Sequence, residues 1–404
     1  MTVTLSPDRA AFLADPRFRR LVAALDVEGD ETRVVGGAVR NALLGLAAAD
    51  LDLATTAEPD VVIARARGAG LKPVPTGYEH GTITVVVEGH PLEVTTLRQD
   101  VETNGRHAVV RFGRDWVADA HRRDFTMNAL SVTAEGRVHD YVGGLADLAA
   151  RRVRFIGDPG ERIREDYLRI LRFFRFHAFY GAGELDPDGL AASIRNRDGL
   201  DGISAERIGA ELTKLLAAPR AEPTLVAMQD AGLLTRLLAG VARPARLARL
   251  VARAAEEQVD PGPALRLAAL AGFSAEDAAR LAGRLRLSNA GRDRMASVLA
   301  LEPALTPDRF TGAPADRRTL RVLLYRAGPE VYRAAVRLAR ADRGAGPDWP
   351  AALALPETDP VPAFPVTGKD LIRAGVTPGP ELGRRLKEIE AAWIAADFDP
   401  AALP

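Results

Sequence analysis

The 404-residue sequence contains no cysteine. That excludes disulfide bridges, thiolate metal sites and cysteine nucleophiles. Lysine is nearly absent too: only Lys72, Lys214, Lys369 and Lys387 occur, and the other 50 basic residues are arginine. Arginine's planar fork suits bidentate phosphate contact better than an ammonium does. Neither sign of charge is in excess, since 54 Lys and Arg balance 54 Asp and Glu. Net charge therefore gives no support for nucleic-acid binding, and any such role needs a local basic surface. No apolar run approaches a membrane span, and the opening MTVTLSPDRA lacks the shape of a signal peptide. A soluble cytoplasmic protein with no membrane partner is the expectation. The six histidines show no metal-ligand spacing.

Strand signals are scarce after about residue 160. Before it, Thr32 to Val35 is a short β-prone run ending in Gly36-Gly37, and Leu51 to Ala54 is another. Thr82 to Val87 and Leu92 to Leu97 flank a turn at 88–91 and predict a hairpin. Ala129 to Val132 and Val138 to Tyr141 flank Glu135-Gly136 and predict a second. Beyond residue 160, Ala, Leu and Arg recur at helical spacing, as in Ile163–Tyr167–Ile170–Leu171–Phe174. Six prolines between Gly344 and Pro365 mark a linker. At this length two to four domains are expected. The fold class is α+β, a small mixed-sheet head followed by a long all-helical body, and chemistry is expected on the head.

Four constellations could carry that chemistry. In Gly36-Gly37-Ala38-Val39-Arg40 a strand runs into two glycines and a helix. Glycines let backbone N–H groups approach an anion, and Arg40 can reach the same anion. By itself this pattern is better explained as a tight turn with a surface arginine. In Asp50-Leu51-Asp52, residues two apart on a strand point to one side, so the carboxylates converge. Converging carboxylates repel unless a cation lies between them, which is how Mg²⁺ is held when a triphosphate supplies the other ligands; an isolated pair is more often two solvated acids at a strand end. Glu93, on a later strand, is a candidate third carboxylate or an outward polar residue. In Arg122-Arg123-Asp124-Phe125-Thr126-Met127-Asn128, Arg123 could meet phosphate and Asp124 a ribose hydroxyl, or the two could form an internal ion pair. In the stretch from Glu165 to Arg175, the step of three predicts that Asp166, Arg169 and Arg172 form one helical ridge. Residues 151–175 hold eight arginines against four acids, so the stretch is locally basic, unless it is a solvated face of helical salt bridges.

The order of these elements carries an identification. GGAVRN (36–41), DLD (50–52), RRDFTMNA (122–129), EDYLRILR (165–172) and SAERIGAEL (204–212) resemble the bacterial class II tRNA nucleotidyltransferase and poly(A) polymerase family, with the CCA-adding enzymes closest. The resemblance covers the first 220 residues closely and continues more loosely to VTGKDLIRAGVTPGP (366–380). It implies a nucleotidyltransferase head over 1–147, a helical neck recognising the nucleobase over 148–222, a body over 223–343, the proline-rich linker over 344–365 and a tail over 366–404.

The resemblance also implies site roles. Asp50 and Asp52 would bind Mg²⁺ and orient the attacking 3′ hydroxyl, with Glu93 as a third catalytic carboxylate. Gly36, Gly37 and Arg40 would hold the triphosphate, and Arg123, Asp124 and Asn128 would contact ribose and phosphate. Asp166 and Arg169 would pair with the Watson–Crick edge of CTP or ATP, supported by Arg172 and Arg175. The loop from about Arg98 to Trp116 would permit the switch from C to A addition. The helical part would hold the acceptor arm and elbow of tRNA. One position departs from the motif: residue 41 is Asn where the family often has Asp.

The activity so implied is template-independent addition of CCA to tRNA from CTP and ATP. A CC-adding, A-adding or poly(A) variant of the same fold is the alternative, and a non-catalytic RNA-binding scaffold is the alternative of another class. A small-molecule nucleotidyltransferase would share the head but would not need the long helical part.

Overall fold

The computed structural model describes residues 3–47, 50–104, 107–307, 312–343 and 348–403, with backbone alone for 99–104, 107–110 and 343. It divides into two compact units, Met1–Thr224 and Leu225–Pro404.

The first unit opens with α1 (Pro16–Leu25), capped by Asp15, whose side chain accepts from the Arg17 N–H. The strands are β1 (Thr32–Val35), β2 (Asp52–Thr55), β3 (Lys72–Gly77), β4 (Thr82–Val87), β5 (His90–Thr96), β6 (Arg98–Asn104), β7 (His107–Phe112), β8 (Ser131–Val132) and β9 (Val138–His139). Helices α2 (Gly37–Leu43), α3 (Pro59–Gly68), α4 (Trp116–His121) and α5 (Gly144–Ala149) lie among them. Seven strands form one sheet in the order β3-β4-β5-β2-β1-β8-β9, and β6 pairs with β7. Only β2 and β5 run parallel, so the sheet is mixed and the class is α+β.

Both expected hairpins form. The β4–β5 turn is tighter than expected, closing at Glu88-Gly89 with φ of 51° and 82°. Two successive positive φ values match the right-handed twist of the flanking strands. Gly136, in the β8–β9 turn, has φ +85°, and a Cβ there would stand 2.2 Å from the Leu5 carbonyl oxygen, so no other residue fits. Residues 105 and 106, in the segment expected to switch nucleotide choice, lie outside the described residues.

After the sheet come α6 (Pro159–Glu165), α7 (Leu168–Tyr180), α8 (Pro187–Arg195) and α9 (Ala205–Leu216). Aromatic rings join α7 to the sheet-side segment. Phe125 lies 4.9 Å from Phe155 and 5.1 Å from Phe176 between ring centroids, and Phe155 lies 5.4 Å from Phe173. Phe125, Phe155 and Phe173 are fully buried. Each such pair adds about 0.5–1.5 kcal/mol beyond area burial, so this cluster holds the segment around Phe125 rigidly against α7.

Helix α10 (Ala221–Asp230) contains the boundary between the units. The second unit has only helices among the described residues: α11 (Leu233–Leu238), α12 (Pro244–Glu256), α13 (Gly262–Ala271), α14 (Ala275–Leu285), α15 (Asn289–Leu305), α16 (Arg317–Arg343, broken at Gly328), α17 (Asp348–Thr358), α18 (Gly368–Arg373) and α19 (Pro380–Ala395). The stretch 344–365 is not a plain linker, because α17 lies inside it. Pro350 falls in the first turn of α17, where the missing N–H has no helical partner to lose. Trp349, Ala352 and Leu355 are buried, and that burial outweighs the proline content. No helix among the described residues is long and apolar enough to cross a membrane.

Candidate active site

A cavity of about 670 Å³ in the first unit gathers the glycine turn, the carboxylate pair, the 122–128 segment and the start of α7. Strand β1 is buried along its whole length and delivers the chain to Gly36, whose φ of +69° turns it into α2. Gly36, Gly37 and Arg40 line the cavity. Arg40 is only 6% exposed and is held from three sides. It donates to Asn128 Oδ1 at 2.6 Å, to the Tyr180 hydroxyl at 2.8 Å and to Asn41 Oδ1 at 2.9 and 3.1 Å. Its guanidinium also stacks 3.9 Å from the centroid of the Tyr180 ring.

Asp52 is the first residue of β2, and Asp50 stands just before the strand; both line the cavity. Burial, and then the nearby charge of Asp50, push the Asp52 carboxyl above the usual range, against the opposing pull of Arg123. The charge of Asp50 is thus felt at Asp52. Glu93 is the register partner of Asp52 across the parallel β2–β5 pairing, so it lies beside Asp52 on the sheet. It is nonetheless exposed and absent from the cavity lining. Among the described residues no group of three or more His, Asp or Glu is arranged to hold a metal.

The 122–128 segment is built from internal ion pairs. Arg123 donates to Asp119 Oδ2 at 3.0 Å, and Arg122 pairs with Asp119 Oδ1 at 2.6 Å. Asp124 Oδ1 accepts from the Phe125 N–H at 2.9 Å and from Asn128 Nδ2 at 3.0 Å, while Oδ2 accepts from Arg172 Nε at 2.8 Å. Burial would raise the Asp124 carboxyl, but Arg172 and these hydrogen bonds hold it below the usual range. Arg123, Asp124 and Asn128 still face the cavity.

Asp166 does not sit on one helix with Arg169 and Arg172. Helix α6 ends at Glu165, Asp166 is extended (φ −154°, ψ 104°), and α7 starts at Leu168. The reason is local: Asp166 Oδ1 accepts from the Leu168 N–H at 3.1 Å, so the side chain caps the start of α7 from outside it. The residues still converge, because Asp166, Arg169, Arg172 and Arg175 all line the cavity. The arginines of the basic stretch are largely paired. Arg162 binds Glu165 at 2.7 Å and the Arg123 carbonyl at 2.7 Å, Arg169 binds Glu165 and the Arg162 carbonyl, and Arg175 donates to Glu211 at 2.6 Å.

Two residues of α9 went unassigned in the sequence. Arg207 lines the cavity and donates to Asp166 Oδ2 at 2.6 Å, and Glu211, one turn on, holds Arg175. The signal was present, since an Arg and a Glu four apart share a helix face. What they face on the partner helix has no local signature. Phe176 also lines the cavity, and Tyr180, one turn further along α7, holds Arg40.

Residues 32–154 match the poly A polymerase head domain family, and residues 184–243 match a family described as a probable RNA and SrmB- binding site of polymerase A. The mitochondrial CCA tRNA nucleotidyltransferase 1 of Mus musculus is 35% identical over 378 residues, covering 92% of this chain and 84% of that protein. The CCA-adding enzyme of Limosilactobacillus fermentum is 31% identical over 393 residues, covering 94% of each. Among solved structures, the Bacillus stearothermophilus CCA-adding enzyme in complex with CTP superposes with a TM-score of 0.71 at 28% identity, over 95% of this chain and 94% of that one. The Thermotoga maritima CCA-adding enzyme, at 20% identity and a TM-score of 0.69, shares the fold. With a carboxylate pair, a glycine turn and an arginine-lined wall in one cavity, and relatives of this identity along nearly its whole length, the chain belongs to the CCA tRNA nucleotidyltransferase family.

Proposed function

We propose that this enzyme adds C, C and A in turn to the 3′ end of tRNA, taking CTP and ATP as substrates. The observation that carries this reading is the joint presence in one cavity of Asp50 and Asp52, of Gly37 and Arg40, and of Asp166 and Arg169. These are the three things a nucleotide-adding site needs: a place for a cation, a place for a triphosphate and an edge that reads a base. The names of the relatives support tRNA as acceptor, and the CTP complex at 28% identity supports the nucleotide.

Phosphoryl transfer asks a protein for positioning and charge neutralisation more than for covalent chemistry. Arg40 and the Gly36-Gly37 turn would bind the triphosphate, and Arg123 would meet phosphate as it leaves Asp119. The 3′ hydroxyl attacks the α-phosphorus, and the bond to the β-phosphate breaks to release pyrophosphate. Asp50 and Asp52 would hold Mg²⁺, and their mutual repulsion, felt at Asp52, fits a cation site. Bound there, the ion supplies charge neutralisation at the reacting phosphate and activates the hydroxyl. Glu93, beside Asp52 but outside the cavity lining, could reach the site only by turning its side chain inward.

Asp166 presents an acceptor and Arg169 donors, which together complement the amino group and ring nitrogen of cytosine or adenine. Uracil and guanine present the reverse pattern. Arg172 and Arg175, tied to Asp124 and Glu211, would support that edge. We further read residues 148–222 as the base-reading neck, and 223–343 with 366–404 as helices that hold the acceptor arm and elbow.

The test is a tRNA lacking its last three nucleotides, incubated with each NTP singly and with CTP plus ATP. Extension by three nucleotides with the pair of substrates is expected. A stop after two cytidines, or a long A tail, would sink the reading.

A further inference from the structure

Helix α7 carries arginines that line the cavity in its first part and ends on Tyr180. Arg169, Arg172 and Arg175 face the cavity directly, whereas Tyr180 is not among the lining residues. Tyr180 meets the site through Arg40 of α2. Its hydroxyl oxygen accepts from Arg40 Nη2 at 2.8 Å, and the Arg40 guanidinium carbon lies 3.9 Å from the centroid of its ring. Tyrosine offers a buried guanidinium both an acceptor oxygen and an aromatic face.

The other side-chain hydrogen-bond partners of Arg40 among the described residues are Asn41, next to it on α2, and Asn128. Asn128 in turn donates through Nδ2 to Asp124, whose charge also acts on Arg40. Of these groups Tyr180 alone belongs to the helix that carries Arg169. That helix has a fixed seat. Phe176, one turn before Tyr180, lies 5.6 Å from the Tyr180 ring and 5.1 Å from the Phe125 ring, between centroids. Phe125 belongs to the same short segment as Asp124 and Asn128. The place of Arg40 thus follows the place of α7.

We propose that Tyr180 is a positioning residue for the triphosphate: from the end of α7 it sets the Arg40 guanidinium, so that the helix presenting Arg169 to the base also fixes the arginine that meets the phosphates. The proposal rests on the reading of Arg40 as a triphosphate ligand. Without the ring and the hydroxyl, the long Arg40 side chain keeps its charge and loses its aim, and holding it against the phosphates then costs rotamer freedom. Base choice, which belongs to Asp166 and Arg169, stays as it was.

The experiment measures KM and kcat for CTP and ATP on tRNA lacking its 3′ end, and inhibition by inorganic pyrophosphate and by CMP, for Tyr180→Leu, Tyr180→Phe and Arg40→Gln. Pyrophosphate probes the phosphate end of the site alone, and CMP carries the base and sugar with a single phosphate. Tyr180→Leu removes both contacts. It should raise KM for CTP and ATP alike, and the pyrophosphate inhibition constant, by about 5- to 30-fold, the scale of a hydrogen bond plus a cation–π contact. Tyr180→Phe keeps the ring and should raise them by about 2- to 5-fold. In both variants kcat, inhibition by CMP and the preference for CTP over UTP should stay within about twofold, as expected when binding of the phosphates alone is lost. A merely structural role would loosen α7 and weaken CMP along with pyrophosphate, so equal weakening of the two overturns the proposal. A Tyr180→Leu enzyme with unchanged KM and pyrophosphate inhibition overturns it as well. Should that variant fail to fold, the same result from Tyr180→Phe overturns it. If Arg40→Gln weakens pyrophosphate while neither Tyr180 variant does, the triphosphate reading stands and the role of Tyr180 falls. If Arg40→Gln leaves KM and pyrophosphate inhibition unchanged, both fall.

Discussion

Arg207 on α9 donates to Oδ2 of Asp166 at 2.6 Å, while the other oxygen of the same carboxylate caps α7 through the Leu168 N–H. The carboxylate expected to read the base is thus fixed in place before any nucleotide arrives. A carboxylate has about four acceptor positions, so a base amino group can still be received. Arg207→Ala should free the carboxylate to rotate. The expected result is a kcat/KM for CTP lower by about 10- to 100-fold, or roughly 1.4–2.7 kcal/mol, and a smaller preference for CTP over UTP. Single-nucleotide incorporation with each NTP measures both, and an unchanged CTP-to-UTP ratio would refute this role.

Asp52 and Asp50 line the same cavity as Gly36, Gly37 and Arg40, and the proposed roles differ: a cation for the first pair, the triphosphate for the others. Asp52→Asn should therefore abolish chemistry and spare binding. Incorporation is expected to fall by at least about a thousandfold, the scale of losing a principal electrostatic stabiliser. Equilibrium binding of CTP should change by only a few-fold. Substantial residual incorporation at saturating Mg²⁺ would mean that the carboxylate pair is not the cation site.

Arg246, in the second unit, is 1% exposed, pairs with Glu302, lies 3.1 Å from Asp342 and donates to the Gly272 carbonyl at 3.1 Å. Removing one partner leaves buried charges uncompensated, at a cost of about 3–5 kcal/mol. Arg246→Ala should thus lower the unfolding midpoint well beyond the effect of Glu302→Gln, which keeps an acceptor. Calorimetric scans of the full chain test the order, and equal midpoints for wild type and Arg246→Ala would contradict it.

His177 on α7 is 4% exposed, and burial, with the nearby charge of Arg220, lowers its pKa to about 4. An unfolded histidine titrates near 6.5, so the unfolded chain binds the proton first. The folded state keeps its full advantage above pH 6.5 and loses it as pH falls toward 4. Between pH 7 and pH 5 the loss should be on the order of 2 kcal/mol. Denaturant unfolding at the two pH values measures it, and His177→Leu should flatten this part of the profile. An unchanged slope in that variant would assign the acid sensitivity elsewhere.

Much of the cavity was legible because its parts are short and contiguous. The run from β1 through Gly36 to α2 needs only a β-prone tetrapeptide and a residue tolerant of positive φ. Asp50 and Asp52 were named together from strand alternation, and both reach the cavity, although only Asp52 lies on β2 and Asp50 precedes the strand. The hairpin of β4 and β5 follows from alternation and a glycine turn. The ridge of Asp166, Arg169 and Arg172 was misjudged for a physical reason. Helical spacing continues through residue 166, but an aspartate can end one helix and cap the next, and periodicity does not register that choice. The proline stretch misled in the opposite sense, because α17 is held by chain that precedes it: Trp349 Nε1 donates to the Gly312 carbonyl and the Tyr332 hydroxyl to that of Ala352.

What the sequence by itself determined is the α+β class of the chain, the family to which it belongs and most of the side chains that line the cavity, since these depend on local geometry and on the order of motifs. Only the tertiary structure decided who holds whom. Arg172 pairs with Asp124, Arg175 with Glu211 and Arg207 with Asp166, whereas the hydrogen-bond partners of Arg40 among the described residues are Asn41, Asn128 and Tyr180. Ion pairing between residues 36 to 48 positions apart is set by where α7 and α9 pack, and a guanidinium carries no mark in the sequence of the partner it will meet.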